Sequence, residues 1–281
     1  MAAPVWAFYP HPGGTKRRGL QLSEFGWLDW AACNVGDVRT ESIWLPGPAD
    51  AVLSSRDPEI ATVAYGTNKV GGFTNLKVTA KAVGRTYLHA RRGADAAIVF
   101  VDVFPELQVK VRFKAVDSTD WKSNLTAGKV QRLVEAANYI YSYQGNVKFT
   151  LVGGVQRVSL PGLPATVPTA DMVNHSAVRD CGADVTVYFV RNTSALAANW
   201  RDLIIMEDVQ SPPWDEMTLA HELGHRMGLR HPSPPIQWNL MNQTAVGDRH
   251  RYKIYLTRDQ IRTVTDRTKW KTVPSDDPNV C

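Results

Sequence analysis

Short hydrophobic, β-prone runs alternate with polar turn signals along residues 33–104. The runs are "TESIWL", "ADAVLSS", "IATVAY", "LKVTAKAV", "RTYLHAR" and "AAIVFVDVF". Asp57-Pro58, Gly66, Gly71-Gly72, Gly84 and Gly93 punctuate them. Strand side chains alternate between two faces, so segments of this length and spacing predict a small all-β sandwich. Residues 1–32 hold many glycines, prolines and aromatics without a period and read as an irregular lead-in. Pro105 marks the boundary at the other end.

Beyond Pro105 the pattern becomes mixed. "LQVKVRFKAV" (107–116) alternates like a strand. Between 126 and 143 the period changes: Val130, Leu133, Val134, Ala137, Ile140 and Tyr141 recur at helical spacing and form one apolar face. Gly145 is placed to stop that helix. "NVKFTLVGG", "ADVTVYFVRN" (183–192) and "DLIIMEDV" (202–209) predict three more strands. Ser211-Pro212-Pro213 followed by Asp215 and Glu216 suits the start of a second helix, with the acids near the positive end of its dipole. The pattern divides the chain into the lead-in 1–32, an all-β domain 33–105 and an α+β domain 106–281.

Composition narrows the function classes. The chain has 281 residues and 44% hydrophobic content, which suits two domains more than one. No apolar run approaches the roughly 18–20 residues needed to cross a bilayer. The net charge of +5 is spread thinly. Residues 1–105 carry 11 Lys/Arg against 9 Asp/Glu, without the stripe a nucleic-acid binder concentrates, and the Lys16–Arg17–Arg18 cluster reads as a solvated loop. The first residues lack the order of a secretory leader, because their basic cluster follows the apolar stretch. Cys33, Cys181 and Cys281 include no CxxC, which argues against a cysteine zinc site and a dense disulfide scaffold. Whether one bridge forms, and between which pair, stays open.

The chemistry concentrates in "HELGHRMGLRH", residues 221–231. Helical spacing puts His221 and His225 on one face, one turn apart. Two imidazoles so placed can grip one ion. Glu222 points to the side of the pair, where it can reach a water at the ion without being a ligand. Gly228 can take the left-handed conformation that ends a helix, and His231 can then return as third ligand. Three protein ligands leave one position open, as in catalytic zinc sites. Five such fixed positions coincide by chance about once in 10⁴–10⁵ chains of this length.

HExxHxxGxxH is the metzincin signature, and this stretch matches each of its fixed positions. "WNLMNQ" (238–243) resembles the family's methionine turn, with Met241 beneath the metal. "VQRLVEAANYIYSYQGNVKFTLV", "RDCGADVTVYFV" and "LTRDQIRTVTDR" (256–267) resemble its first helix and strand, the strand at the upper rim of its cleft, and its C-terminal helix. The resemblance spans about 107–270. It implies a zinc endopeptidase with a twisted mixed sheet, an active-site helix, a Met-turn and a C-terminal helix, and one catalytic Zn2+. Pro232 matches the serralysin branch, but Gln243 stands where that branch has a tyrosine. Tyr252 and Tyr255 are weaker candidates for that role than for packing. Upstream, "AVLSSRDPEIATV" (51–63), "KVTAKAVGRTYLHARRG" (77–93) and "IVFVDV" (98–103) resemble the bacterial Ig-like group 2 domain, which implies a spacer or adhesion module.

These readings lead to one expected mechanism. His221, His225 and His231 hold zinc, and Glu222 acts as general base and then as proton donor to the leaving amine. An extended protein substrate pairs with an edge strand near 185–190, and residues 242–255 wall a side-chain pocket. Two other readings stand beside this one: an adhesion protein on an inactive metzincin scaffold, and a zinc hydrolase acting on a cell-wall cross-link. The absence of a leader motivates a toxin-like bacterial effector, exported by a specialised machine and active outside the producing cytoplasm. Secretion-machinery and immunity or inhibitor proteins are then its expected partners, and neither nucleic acid nor a membrane span is expected.

Overall fold

The computed structural model describes residues 30–44, 52–70, 73–92, 95–168, 183–193, 197–200, 203–208, 214–235, 239–242 and 256–270. The chain is a multidomain, β-rich protein with several sheets and, among the described residues, three α-helices. Its contacts divide it into two units. One holds residues up to Glu106 with Tyr143–Asn146; the other holds Leu107–Ser142 and the chain from Val147 on.

The first unit has seven described strands: β1 (Trp30–Asn34), β2 (Val38–Trp44), β3 (Val52–Ser55), β4 (Ala61–Val70), β5 (Phe73–Ala80), β6 (Gly84–Arg92) and β7 (Asp95–Phe104). They form a three-stranded antiparallel sheet, β2-β5-β4, and a four-stranded sheet, β1-β7-β6-β3. β1 runs parallel to β7; the other pairs in that sheet are antiparallel. Val78, Ala80 and Ala61 of the first sheet and Cys33, Leu88, Val101 and Val103 of the second are buried. Asp102 is buried too and accepts a 2.6 Å bond from Arg85 Nε on the neighbouring strand. Six of the seven strands, β2 to β7, overlap the six β-prone runs of the sequence. β1 does not: its first residues are "WAA", which carry no alternation, and pairing with β7 supplies its order.

The second unit is built on one six-stranded sheet. Its strands are β8 (Leu107–Asp117), β9 (Val147–Leu151), β10 (Gln156–Ser159), β12 (Val185–Val190), β14 (Ala197–Trp200) and β15 (Leu203–Glu207). Two short strands, β11 (Thr166–Val167) and β13 (Asn192–Thr193), pair with each other. In the main sheet β9 and then β10 lie along one edge of β8. The order continues to β12, β15 and β14, all parallel except the last.

Helix α1 (Ala127–Gly145) buries Val130, Leu133, Val134, Ala137, Ile140 and Tyr141, the stripe its period predicts. It also blunts the edge strand β9. Asn138 Oδ1 accepts from Phe149 N at 2.6 Å, and its Nδ2 donates to Phe149 O at 2.9 Å. The helix ends at Gly145, but the residue with positive φ is Asn146, at 56°. Asparagine tolerates that region, so the stop lies one residue past the glycine.

The two faces of β12 meet different partners. Lys129 of α1 lies over the Phe189 ring, and Phe113 of β8 packs 6.3 Å from it. Tyr188 and Val190, on the opposite face, join a cluster with Trp121, Leu160, Leu163, Val167, Leu203 and Ile205. Both edges of β12 are paired, and all six of its residues are buried. The expectation that residues 185–190 form an edge strand is therefore wrong. "VTVYFV" is apolar but for Thr186, which is buried too, because the strand is central and covered on both faces.

Candidate metal centre

Helix α2 (Trp214–Arg226) follows β15 and carries the first half of the motif. It packs against β14 and β15. A Schellman turn ends it: Gly228 N donates to His225 O at 3.1 Å, and Leu229 N donates to Gly224 O at 2.9 Å. Gly228 sits at φ 89°. A Cβ there would also strike the Lys269 carbonyl oxygen, so glycine is required twice at this position.

The turn brings three imidazoles together. His231 Nε2 lies 3.2 Å from His221 Nε2 and 3.0 Å from His225 Nε2. Two nitrogens at 2.0–2.1 Å from one tetrahedral ion lie about 3.3 Å apart, so the spacing fits a single small cation. The tautomers fit as well. His221 Nδ1 is 2.7 Å from Leu240 O, and His225 Nδ1 is 2.9 Å from Leu229 O. A carbonyl only accepts, so each Nδ1 carries the proton and each Nε2 presents its lone pair to the common point. Desolvation lowers the pKa of His231, which favours the neutral form a ligand needs. The three residues can hold a metal ion.

Leu240 and Met241 belong to a tight turn, Asn239–Asn242, below α2. Asn239 is fully buried. Its Oδ1 accepts from Met241 N at 2.9 Å, and its backbone oxygen accepts from Asn242 N at 3.3 Å. Its amide pairs with Gln260: Nδ2 donates to Gln260 Oε1 at 2.7 Å, and Gln260 Nε2 donates to Asn239 Oδ1 at 3.2 Å. Gln260 lies in helix α3 (Arg258–Val264) and closes its capping box, accepting from Thr257 N at 2.8 Å. One side chain thus caps α3 and braces the turn whose carbonyl orients His221.

Met241 is fully buried against α2 at Gly224. A Cβ on Gly224 would lie 2.5 Å from Met241 Sδ and 2.7 Å from the Tyr141 hydroxyl oxygen. That hydroxyl donates to Ala220 O at 2.7 Å. Burial, with the charge of Glu222 adding to it, pushes the Tyr141 hydroxyl well above its ordinary pKa and keeps it a donor. Glu222, beside His221, is 8% exposed. The motif alone did not single out Gly224, Tyr141, Asn239 or Gln260. Gly224 carried a signal, because glycine inside a helix costs about 1 kcal/mol relative to alanine and so implies a close neighbour.

Asp208 ties down the approach to α2. Its Oδ2 accepts from Ser123 Oγ at 2.8 Å and from Asn124 N, and Lys129 Nζ donates to its backbone oxygen at 3.1 Å. Asp117, at the end of β8, holds Arg157 of β10 through two 2.8 Å bonds, and Arg157 also reaches Ser123 O. On the side of β12 away from β8, the outer strand of the sheet is β14. It pairs with β15 on one side, and among the described residues no strand pairs with its other side. Of the remaining site candidates, Gln243, Tyr252, Tyr255 and nearly all of the expected pocket wall at 242–255 lie outside the described residues, as do Cys181 and Cys281. Cys33 is buried. Among the described residues no helix is long and apolar enough to cross a membrane.

No protein-family model matches the chain, and no curated protein matches it. Among solved structures, domains 4 and 5 of the S-layer protein SbsC are similar at 21% identity, over 26% of this chain and 46% of that one, with a TM-score of 0.23. Amylomaltase from Corynebacterium glutamicum is similar at 12% identity, over 45% of this chain and 21% of that one, with a TM-score of 0.24. Titin domains Z1Z2 in complex with telethonin give 15% identity over 31% and 53%, with a TM-score of 0.19. The chain spans less than half of the S-layer fragments it resembles, 46% and 39%. At such scores these likenesses carry no argument about fold or activity.

Proposed function

We propose that the chain is a zinc-dependent endopeptidase of metzincin type, preceded by a bacterial immunoglobulin-like module. The observation that carries this reading is the convergence of three imidazoles: His231 Nε2 lies 3.2 Å from His221 Nε2 and 3.0 Å from His225 Nε2, His221 and His225 each set Nδ1 on a carbonyl, and Glu222, next in the chain after His221, is buried. A structural site would need neither an open position nor a neighbouring carboxylate. The turn that places Met241 under Gly224 supports the same reading. The sheet pairing β2-β5-β4 with β1-β7-β6-β3 supports the immunoglobulin-like part, since it places the B-E-D strands on one sheet and C-F-G on the other.

Zinc in this position would polarise the scissile carbonyl and acidify its water. The protein's own groups do the rest. The carbonyls of Leu240 and Leu229 hold two ligands in one tautomer and orientation. Glu222 takes a proton from the attacking water and passes it to the leaving amine. The substrate adds as an extended strand along the outer side of β14, gaining main-chain hydrogen bonds that do not depend on sequence.

The test is metal analysis joined to hydrolysis of an unfolded protein. The parent binds about one zinc per chain and cleaves in a chelator-sensitive way. Glu222→Ala keeps the zinc and loses activity by at least about 10²-fold. His225→Ala loses both. Equal proteolysis by parent and Glu222→Ala overturns the proposal.

A further inference from the structure

We propose that the cavity beside the three histidines is a recognition site for an anionic group, a carboxylate carried by the substrate. This deepens the hydrolase reading and rests on it. The cavity has a volume of about 510 Å³ and is lined by His225, Gly228, Leu229, Arg230, His231 and Lys269. Two of these are candidate metal ligands, so whatever fills the cavity sits next to the reacting bond. Arg230 and Lys269 are both cationic residues, and among the described residues no carboxylate lines the space. Leu229 is the one large apolar side chain among the described lining residues, and it is 3% exposed. The chemistry on offer is positive charge and hydrogen-bond donors, which match a carboxylate.

The backbone of both cationic residues is fixed. Arg230 stands between Leu229, whose carbonyl meets His225 Nδ1, and His231. The Schellman turn therefore sets its position along with theirs. Lys269 ends a short 3₁₀ helix, Arg267–Lys269, that Asp266 caps by accepting from Thr268 N. Its carbonyl oxygen lies so close to Gly228 that no Cβ fits between them. The turn and the C-terminal segment thus meet without a side chain in between, and each contributes one cationic residue to the lining of a common space. Asp266 approaches Lys269 Nζ at 3.8 Å, but this is an exposed pair of little strength and it lies outside the lining.

The test uses the zinc-loaded full chain and two small hydroxamates that differ only at their far end, one a carboxylate and the other its carboxamide. Each exposed ion pair is worth up to about fivefold in affinity, so two predict a preference of about tenfold for the carboxylate at low salt. The preference shrinks as salt rises. In R230A/K269A, both surface substitutions, it falls below about twofold while the carboxamide binds as before. Equal binding of the two probes to the parent overturns the inference and leaves the hydrolase reading intact. If neither probe binds the zinc-loaded parent, both fail. Peptide substrates then identify the source of the carboxylate. Cleavage beside an internal glutamate in a terminally amidated peptide marks an acidic side chain. Release of residues from a free C-terminus of a neutral peptide marks the terminal carboxyl. A parent that cleaves neutral, amidated peptides as well as either of these also overturns the inference.

Discussion

Replacing Asn239 with alanine separates two roles that its side chain combines. The substitution removes the acceptor for Met241 N and both halves of the amide pair with Gln260. Asn239 is fully buried, so Met241 N is left without water to replace the lost bond. A buried donor abandoned in this way costs about 1–3 kcal/mol. Gln260 is half-buried and can turn its amide towards solvent, so its share is smaller. The sum is about 2–4 kcal/mol, read as a drop in Tm of roughly 5–15 °C for a domain of this size. The second effect falls on the metal. With the turn loosened, Leu240 O no longer holds His221 Nδ1 at 2.7 Å, and zinc affinity falls about 10–100-fold. Thermal unfolding of the metal-free protein and a zinc competition titration read the two effects separately. Asn239→Asp is the control: it keeps an acceptor for Met241 N but sets a carboxylate against Gln260 Oε1. That should cost stability through the α3 cap while sparing most of the zinc affinity. An Asn239→Ala protein that loses stability but binds zinc as tightly as the parent refutes the claim that this turn orients His221.

Gly224→Ala should destabilise by about 1–3 kcal/mol despite alanine's better helix propensity, because its Cβ meets Met241 Sδ and the Tyr141 hydroxyl; a rise in the Tm on heating or in the midpoint of urea unfolding would contradict this. Gly228→Ala combines a positive φ, costing about 1–2 kcal/mol, with a clash on Lys269 O, and should lower both stability and zinc binding. Tyr141→Phe should keep the fold but lose the bond to Ala220 O, at about 1 kcal/mol, measured by urea unfolding. The Asp117 carboxyl is held below its ordinary pKa, first by its hydrogen bond from Arg157. Its contribution is therefore complete above the unfolded value and is lost as pH falls through the lower folded value. Asp117→Asn should flatten the acid limb of a stability–pH curve and leave the neutral-to-alkaline side parallel to the parent, whereas an unchanged acid limb would argue against the pair.

Legibility followed how local each cause is. The stripe on α1 was readable because six residues repeat at one period and all pack on one side. The cluster of His221, His225 and His231 was readable because a helix and a single turn, both local, bring these residues together. The placement of 185–190 at an edge failed for a physical reason: an apolar run reports that both faces are covered and says nothing directly about edges. The outer strand beyond β15, Ala197–Trp200, has four residues with no clear alternation, and only its pairing with β15 defines it. The Asn239–Gln260 pair was invisible for a different reason. Nothing in "NLMNQ" or "LTRDQ" announces that two amides 21 residues apart will share bonds, since each has ample local reasons to be polar.

The two oriented histidines therefore differ in what supports them. His225 is fixed by Leu229 O, which the Schellman turn of its own helix delivers. His221 is fixed by Leu240 O, whose position depends on Asn239 and, through Gln260, on the capping of α3. Damage to the C-terminal segment should accordingly reach the metal by two routes. Loss of the Thr257 cap weakens the brace on His221, since Thr257 and Gln260 satisfy each other's backbone donors. Displacement of Arg267–Lys269 frees Gly228 and lets the return of His231 drift, while His225 keeps its local carbonyl. Thr257→Ala should then cost about 1 kcal/mol of stability and a modest part of the zinc affinity. Histidine proton resonances of the zinc-loaded protein would locate the change. The Nδ1–H signal of His221 should move or broaden and that of His225 should stay in place; equal perturbation of both would mean that the turn and α2 respond as one body, and the division of support between local and distant contacts would be wrong.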